Sequence, residues 1–526
     1  MAATSDRLLR RKPLGPVGLV VLTGLALAAC TVGPEYVPPE PEAPAAWSQP
    51  GAEGVTEQPA SLVAWWTVFK DPVLDQLVDT AVRRNNTLEL TALRVLEARA
   101  QLGIATGSVY PQTQVATGAA TYLSPPDNSG VDSGAWSYGL GAGAAWEIDF
   151  WGRFRRGIES ADAAYLASIA AFEQSRILLT GAVVGTYATV RSLEEQLRIA
   201  NENVAIQQRS FDIAQVLFEN GADSELDMQQ ALTLLLSTQA TIPGLEIALA
   251  QAQNALSVLL GEAPGAVREV LTTGEGIPVV PDDIAIGLPA DMLRRRPDVR
   301  QAELQARSAN ALVGLAEADL YPSFSLTGSI GLAAGGPGDS DFGDLFDGDA
   351  LTWSIGPSFV WPFLNYGRIR NNVRVQDARL QQALVNYRET VLQAAREAED
   401  AMATYIGTRA QRAILEQTVE SARRSNDLST LRYAEGFSDY ERVLNAQQAL
   451  FTQETRYVTN QGDAVRALVD LYTALGGGWE NDEGLPRIDP ETLEAMGQRT
   501  NWGDLLDPYA DDTTTTTRTA EDAPDE

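Results

Sequence analysis

The residues that could perform chemistry in this chain of 526 residues are a restricted set. The chain has no histidine and one cysteine, Cys30, beside 70 carboxylate side chains. Without histidine there is no imidazole metal ligand and no Ser-His or Cys-His nucleophile pair. No phosphate-binding glycine loop and no CxxC pair occurs. The carboxylates recur on polar helix faces, where solvation is the expected role. We therefore expect neither an enzyme nor a bound cofactor.

Cys30 is the candidate for covalent modification. A basic segment is followed by an apolar stretch at 14–29, which is short for a membrane span but suits a secretory signal. The sequence LAAC at 27–30 resembles the lipobox of bacterial lipoproteins, in which the cysteine receives a diacylglycerol and an N-acyl lipid. We expect residues 1–29 to be a signal peptide and Cys30 to be lipidated, with a structural cysteine as the alternative. Thr31, rather than aspartate, favours transfer to the outer membrane.

Composition also describes the two ends of the chain. Prolines recur through 34–50, which predicts a semi-rigid, lipid-anchored tether over 30–64. The far end is acidic and includes TTTTT at 513–517, so we predict a disordered tail over 481–526. The net charge of −31 disfavours nucleic acid as a partner.

The central part of the chain is duplicated. FENGADSELDMQQA at 218–231 corresponds to YAEGFSDYERVLNA at 433–446, WGR at 151–153 to YGR at 366–368, and LLGE at 259–262 to ALGG at 474–477. All three pairs share an offset of 215 residues. This constant register predicts two repeats of the same unit, at 65–275 and 276–480.

Each repeat contains two stretches with a period of two, predicted as strands over 112–123, 136–150, 322–333 and 351–364. In the second stretch, the alternate residues are Trp136, Tyr138, Leu140, Ala142, Ala144, Trp146, Ile148 and Phe150. The intervening residues are mostly glycine, serine and alanine, which suits a lumen better than the charged face of a soluble sandwich, the alternative. The strands are long enough to cross a bilayer when tilted. Four strands cannot close a barrel, so membrane strands require several chains to share one barrel.

Long helices follow the strands in both repeats. Residues 154–217 and 369–432 contain no proline, and about 64 residues of α-helix extend roughly 100 Å. We predict helix hairpins over 152–261 and 367–476, with turns near Gly221 and Gly436. Pro243-Gly244 should interrupt the return helix of the first hairpin.

As a set, several motifs resemble the TolC-type outer-membrane factors, in particular the NodT-like efflux lipoproteins. The motifs are CTVGPEYVPP at 30–39, WEIDFWGRFRRGIESA at 146–161, LPADMLRRRPDVRQAE at 288–303 and YTALGGGW at 472–479. The resemblance implies an α+β membrane protein. Its helical hairpins would form a periplasmic tunnel, and its four strands would join a twelve-stranded outer-membrane barrel in a homotrimer. It further implies a periplasmic membrane-fusion adaptor and an inner-membrane pump of the RND type as partners.

The resemblance also assigns roles around the hairpin turns. In the family, an aspartate nine residues before the turn glycine contributes to the constricted tunnel entrance, a position matched by Asp212 and Asp427. Three residues earlier stand Arg209 and Arg424, which casts doubt on a purely acidic ring. The alternative is an ordinary i,i+3 ion pair in each helix.

The turns themselves match the family region that contacts the adaptor. The matching residues are Gly221, Ser224, Asp227, Gly436 and Ser438. Ordinary turn and helix-capping chemistry would also explain them. The function that follows is a passive outer-membrane exit duct for an efflux system. The alternatives are the same duct used for type I protein or peptide secretion or for metal-ion efflux, and a non-conducting lipid-anchored scaffold.

Overall fold

The computed structural model describes the greater part of the chain. The described residues are 31–40, 46–48, 55–56, 62–124, 135–274, 276–281, 283–286, 293–335, 341–479 and 487–509. Cys30, the predicted signal peptide and the threonine run lie outside them.

An antiparallel sheet contains the four strands that the alternation predicts, in the order β2-β3-β5-β6. The strands are β2 (Thr113–Leu123), β3 (Ala135–Ile148), β5 (Ser323–Gly335) and β6 (Leu351–Val360). The central pair, β3 with β5, joins the two sequence repeats. Within the described part of the chain, β2 and β6 each pair on one side only. A separate parallel pair is formed by β1 (Val55–Thr56) and β4 (Ile284–Ala285).

The apolar side chains of the sheet remain exposed in a single chain. Leu140, Ile330, Trp353 and Ile355 are all more than half exposed, up to 72% for Trp353. A contiguous apolar surface of this kind indicates a membrane or another protein as its environment. The small residues that alternate with them leave the opposite face without bulky apolar groups.

Two very long helices follow the sheet strands, α3 (Arg153–Glu219) and α8 (Arg368–Ala434), each of 67 residues. In the second repeat the chain returns as one helix, α9 (Tyr440–Ala474). In the first repeat it returns as α4 (Glu225–Gln239) and α5 (Ile242–Leu259). Pro243 lies in the first turn of α5, where its missing N–H is tolerated, and thus places the predicted break. Among the described residues, Glu225–Leu259 is the one helical stretch apolar and long enough to span a bilayer.

Two helices precede the first strand of this sheet. They are α1 (Pro72–Arg84) and α2 (Asn86–Gly107). The Asn85 side chain between them accepts a hydrogen bond from the Leu88 N–H at 2.9 Å, which caps the second helix and stabilises the break. Two further helices are α6 (Arg268–Leu271) and α7 (Pro297–Ala318).

The chain divides into two compact units. The first comprises 1–39, 98–165 and 303–385 and includes the sheet. In it, the Arg156 side chain donates to the carbonyls of Val32 (3.2 Å) and Gly33 (3.3 Å), and Asn310 donates to that of Pro34 (3.0 Å). Within the predicted tether over 30–64, the carbonyl groups of residues 32–34 are thus bound by side chains of α3 and α7.

The second unit comprises 40–97, 166–302 and 386–526. Its main core includes Trp65, Tyr187, Leu256 and Leu468, all essentially inaccessible. Arg296 of the LRRRPDV motif is also buried, and it donates to the Ala474 carbonyl and to two carboxylates. That motif is thus part of the internal structure of the unit.

The acidic tail is partly folded. Residues 487–509 contain α10 (Pro490–Arg499) and two 3₁₀ turns, Gly503–Leu505 and Asp507–Tyr509. Ile488, Leu493 and Tyr509 pack against Ala92 and Leu96 of α2. The prediction of disorder over 481–526 is wrong for this segment, because its few apolar residues share one face. Residues 481–486 and 510–526 lie outside the described chain.

Candidate functional site at the hairpin turns

The two hairpin turns have the same backbone geometry. Gly221 and Gly436 have φ of 70° and 77°. The following N–H bonds back to the carbonyl five residues earlier, Ala222 to Leu217 and Phe437 to Arg432, both at 2.8 Å. A Cβ at either glycine would contact nothing within 4 Å. The left-handed backbone, rather than close packing, therefore requires glycine at both turns.

The residues after the turns behave differently in the two repeats. The Ser224 hydroxyl accepts from the Asp227 N–H at 3.3 Å and lies 3.0 Å from the Asp227 carboxylate, so it caps α4. Ser438 does not cap α9, because the N-cap residue there is Asp439, whose side chain makes no capping bond. Ordinary turn chemistry therefore accounts for both glycines, and helix capping accounts for Ser224 but not for Ser438.

A cluster of side chains connects the two hairpin turns, which we call the tip. The Tyr433 hydroxyl at the end of α8 donates to the Asp223 carboxylate at 2.5 Å. Tyr433 and Tyr440 contact edge to face, with ring centroids 5.2 Å apart. Both rings are buried with Ala214, Ala231 and Val443. We call Asp223, Asp227, Tyr433 and Tyr440 the tip cluster.

The pKa values in the tip cluster reflect these contacts. Burial tends to raise the pKa of Asp223, but hydrogen bonds from Asp227, Tyr433 and the Ser224 N–H leave it below its ordinary value. The hydrogen bond with Asp223, together with burial, raises the pKa of Asp227. Burial, then Asp227, raises the pKa of Tyr440 to about 12. Of the two carboxyl groups, Asp223 therefore loses its proton at the lower pH.

The four residues predicted for the constriction lie outside the tip cluster. Asp212 accepts from Gln208 at 2.8 Å, and Arg209 donates to the Ala205 carbonyl at 3.4 Å. Asp427 lies 3.5 Å from the Asn426 amide, and Arg424 is exposed. In this described region neither Arg209–Asp212 nor Arg424–Asp427 forms the alternative i,i+3 ion pair. All four side chains are exposed and remain available to line a pore.

Sequence reasoning missed the tyrosines and Asp223. The signal was present in the aligned repeats, where Tyr433 corresponds to Phe218 and Asp223 to Ser438. Both differences occur beside the matching turn glycines. The glycines maintain the backbone that the two turns share, whereas Tyr433 and Asp223 contact one another.

Buried polar contacts continue above the tip. Glu454 of α9 is 5% exposed and accepts from Asn203 of α3 and from Arg423 of α8, both at 2.9 Å. Nearby, Gln447 donates to Ser210 at 2.6 Å. These polar groups contact partners on particular neighbouring helices and thereby specify one helix register.

A sheet with an exposed apolar face, followed in each repeat by a helix of 67 residues, is the architecture of an outer-membrane channel subunit. The sequence comparisons agree. The chain matches the Outer membrane efflux protein family over residues 77–262 and 288–477. It belongs to that family.

Three relatives are similar over nearly their whole length. Nodulation protein T of Rhizobium leguminosarum bv. trifolii is 28% identical, covering 86% of this chain and 96% of the relative. Outer membrane protein OprJ of Pseudomonas aeruginosa is 32% identical, covering 90% and 98%. Cation efflux system protein CusC of Escherichia coli is 30% identical, covering 87% and 97%.

A solved structure shows the same fold. The outer-membrane channel OprN superposes with a TM-score of 0.80 at 30% identity, covering 86% of this chain and all of that one. The fold class and outer-membrane location predicted from the sequence are confirmed. The chain is the exit duct of an efflux system, and its family consists of channels rather than enzymes.

Proposed function

We propose that three copies of this chain form one duct, with twelve strands in the outer membrane and twelve helical elements in the periplasm. The observation that supports this most directly is the sheet. Its apolar face is exposed, and β2 and β6 have unpaired outer edges within the described chain. Unpaired backbone groups are costly in lipid, and four strands are too few to close a barrel. Pairing β6 of one copy with β2 of the next satisfies both edges.

The tip cluster acts as the latch of the periplasmic entrance in this proposal. Tyr433 and Asp223 connect the two hairpins of one chain, so breaking their hydrogen bond frees one hairpin to move relative to the other. Asp212, Asp427, Arg209 and Arg424 line the constriction above the latch. Their exposure in a single chain supports this role, since pore-lining side chains need access to water.

The partners follow from the same arrangement. Gly221, Ser224, Asp227, Gly436 and Ser438 form the surface that contacts a periplasmic membrane-fusion adaptor, which connects the duct to an inner-membrane pump of the RND type. Cys30, outside the described residues, has a diacylglycerol and an N-acyl lipid that anchor the chain. The contacts of Val32, Gly33 and Pro34 support a fixed position for this lipidated end.

The transported class is small toxic molecules. The relationship to CusC favours metal-ion efflux as a second candidate, in which the ion is cargo. Among the described residues, no group of three His, Cys, Asp or Glu side chains is arranged to bind a metal. Type I secretion of proteins or peptides is an alternative use of the same duct.

Single-channel conductance in planar bilayers tests the duct and its latch together. The unmodified protein should elute as a trimer and conduct weakly, and Tyr433→Phe should increase the conductance severalfold, because it removes the hydroxyl that binds Asp223. Tyr440→Phe is the matched control, since its buried hydroxyl has no hydrogen-bond partner. A trimer that is silent in every variant would contradict the duct, and equal conductance in both variants would contradict the latch.

A further inference from the structure

The second unit contains a cavity of about 720 Å³ that the duct does not require. Its walls are α1, the start of α2, part of α3 and the C-terminal segment 487–509. The family match ends at residue 477, so that segment is an additional wall. Four aromatic side chains contribute to the lining: Trp66, Phe172, Trp479 and Tyr509.

One carboxylate in this cavity has an oxygen without a partner. Asp71, Asp75 and Asp79 are spaced four residues apart, on one face of α1. Asp71 accepts from the Tyr187 hydroxyl at 2.6 Å and from two backbone N–H groups, and Asp79 pairs with Arg83. Between them, the Oδ1 atom of Asp75 is buried and accepts no hydrogen bond. Asp75 therefore contributes to the cavity lining a carboxylate that lacks a hydrogen-bond donor on one of its two oxygens.

The other charged groups of the lining are already engaged. Glu173 accepts from Arg300 at 2.9 Å, Glu89 accepts from Thr492 at 2.8 Å, and Asp489 caps α10. Arg176 and Arg487 also have interaction partners. The lining contains five acidic and three basic side chains, so its balance is negative. An added cation thus meets the Asp75 carboxylate and a favourable net charge.

Two carboxyl groups of the cavity lining have raised pKa values. Burial, and then the neighbouring Asp71, raises the pKa of Asp75. Burial also raises the pKa of Glu173, although Arg300 opposes it. A cation beside Asp75 would stabilise the ionised carboxylate, so binding should lower the pKa of Asp75 and, at a pH near that pKa, release a proton.

We propose that this cavity binds an amphipathic organic cation, whose ammonium group pairs with Asp75 while its apolar body contacts the aromatic walls. A carboxylate beside aromatic rings is a common arrangement for binding organic ammonium groups. The site is separate from the hairpin turns and does not depend on the latch or on the identity of the cargo.

Isothermal titration of the full-length, detergent-solubilised protein with 2-phenylethylammonium tests the site. Saturable binding of one cation per chain is expected, whereas phenylacetate, the anion with the same ring, should not bind. Affinity should rise with pH as Asp75 ionises. At a pH near the pKa of Asp75, the measured heat should also vary with the ionisation enthalpy of the buffer, because a proton is released there. Asp75→Asn should weaken binding at least tenfold and remove the buffer dependence.

Asp463→Asn is the matched control, because Asp463 is exposed, pairs with Arg466 on α9 and lies outside the cavity lining. It should leave the affinity unchanged. Equal binding of phenylacetate, unchanged affinity in Asp75→Asn, or no saturation up to 10 mM would each overturn the proposal. If Asp75→Asn does not fold, equal binding of the cation and of phenylacetate by the unmodified protein overturns it instead. None of these outcomes alters the conductance test of the duct.

Discussion

The two hairpin turns have the same backbone but different side chains. Gly221 and Gly436 have nearly equal φ values and the same hydrogen-bond pattern. Phe218, however, is 37% exposed, whereas Tyr433 at the corresponding position is 4% exposed and bonds Asp223 of the other turn. The second repeat thus contributes the hydroxyl donor and the first repeat the carboxylate acceptor. Duplication preserved the turn, and divergence created the contact between the two copies.

A similar difference occurs higher in the hairpins. Arg423 and Glu454 of the second repeat form a charged pair, and the corresponding residues of the first repeat are Gln208 and Gln239. Gln208 bonds Asp212 of its own helix instead. The Arg423–Glu454 pair between helices therefore has no counterpart in the first repeat.

The largest expected difference between the repeats is at the aromatic position. Tyr433→Ala removes a buried ring and should lower local stability by about 3 kcal/mol, whereas Phe218→Ala should cost less than about 1 kcal/mol because its ring is partly exposed. Hydrogen exchange of the turn amides measures both values. Equal losses in the two variants would contradict the division of roles.

Arg423→Gln should have the next largest effect. This substitution introduces the residue that the first repeat has at the corresponding position, and it leaves the buried carboxylate of Glu454 without its cation. The expected cost is about 2 kcal/mol, which is less than for a fully buried ion pair because the Arg423 side chain is mainly exposed. Adding Glu454→Gln should restore most of the loss. A double-mutant cycle followed by chemical unfolding measures the coupling, and additive losses would refute it.

The glycines should give equal effects in the two repeats. Gly221→Ala and Gly436→Ala should each cost about 1 kcal/mol, because alanine is strained at positive φ while no neighbouring atom is within reach. Gly497→Ala, in the exposed helix α10, is the control and should slightly stabilise the protein. Thermal unfolding provides the comparison. A clear difference between the two turn variants would show that their backbones are not equivalent.

The smallest expected effect is the pH dependence of the tip. The pKa of Asp227 is raised, so the stability that its carboxyl group contributes to the closed tip is lost as pH rises through that pKa. The pKa of Asp223 is lowered, so the stability that its carboxylate contributes is lost as pH falls through that pKa. The closed tip should be most stable in the acidic window between the two pKa values, and conductance should increase on either side. Asp227→Asn should abolish the increase on the alkaline side, and an unchanged profile would exclude this carboxyl pair.

Sequence patterns predicted the elements of this fold well because each has a local signal. Alternation identified the four strands, absence of proline identified α3 and α8, and the glycines located both turns. The Tyr433–Asp223 contact joins residues 210 positions apart, and no local pattern specifies such a pair. The C-terminal helix α10 was missed because its acidic composition concealed a few apolar residues on one face.

The pairing of β3 with β5 restricts when the sheet can form. Ser137 pairs with Gly335, about 200 residues later in the chain, and the loop between them contains the whole first hairpin. During export, β2 and β3 therefore emerge long before their central partner is available. Folding dominated by such distant contacts is slow and leaves strand edges open to aggregation. We expect the newly exported chain to need a periplasmic chaperone until residue 335 has crossed the inner membrane.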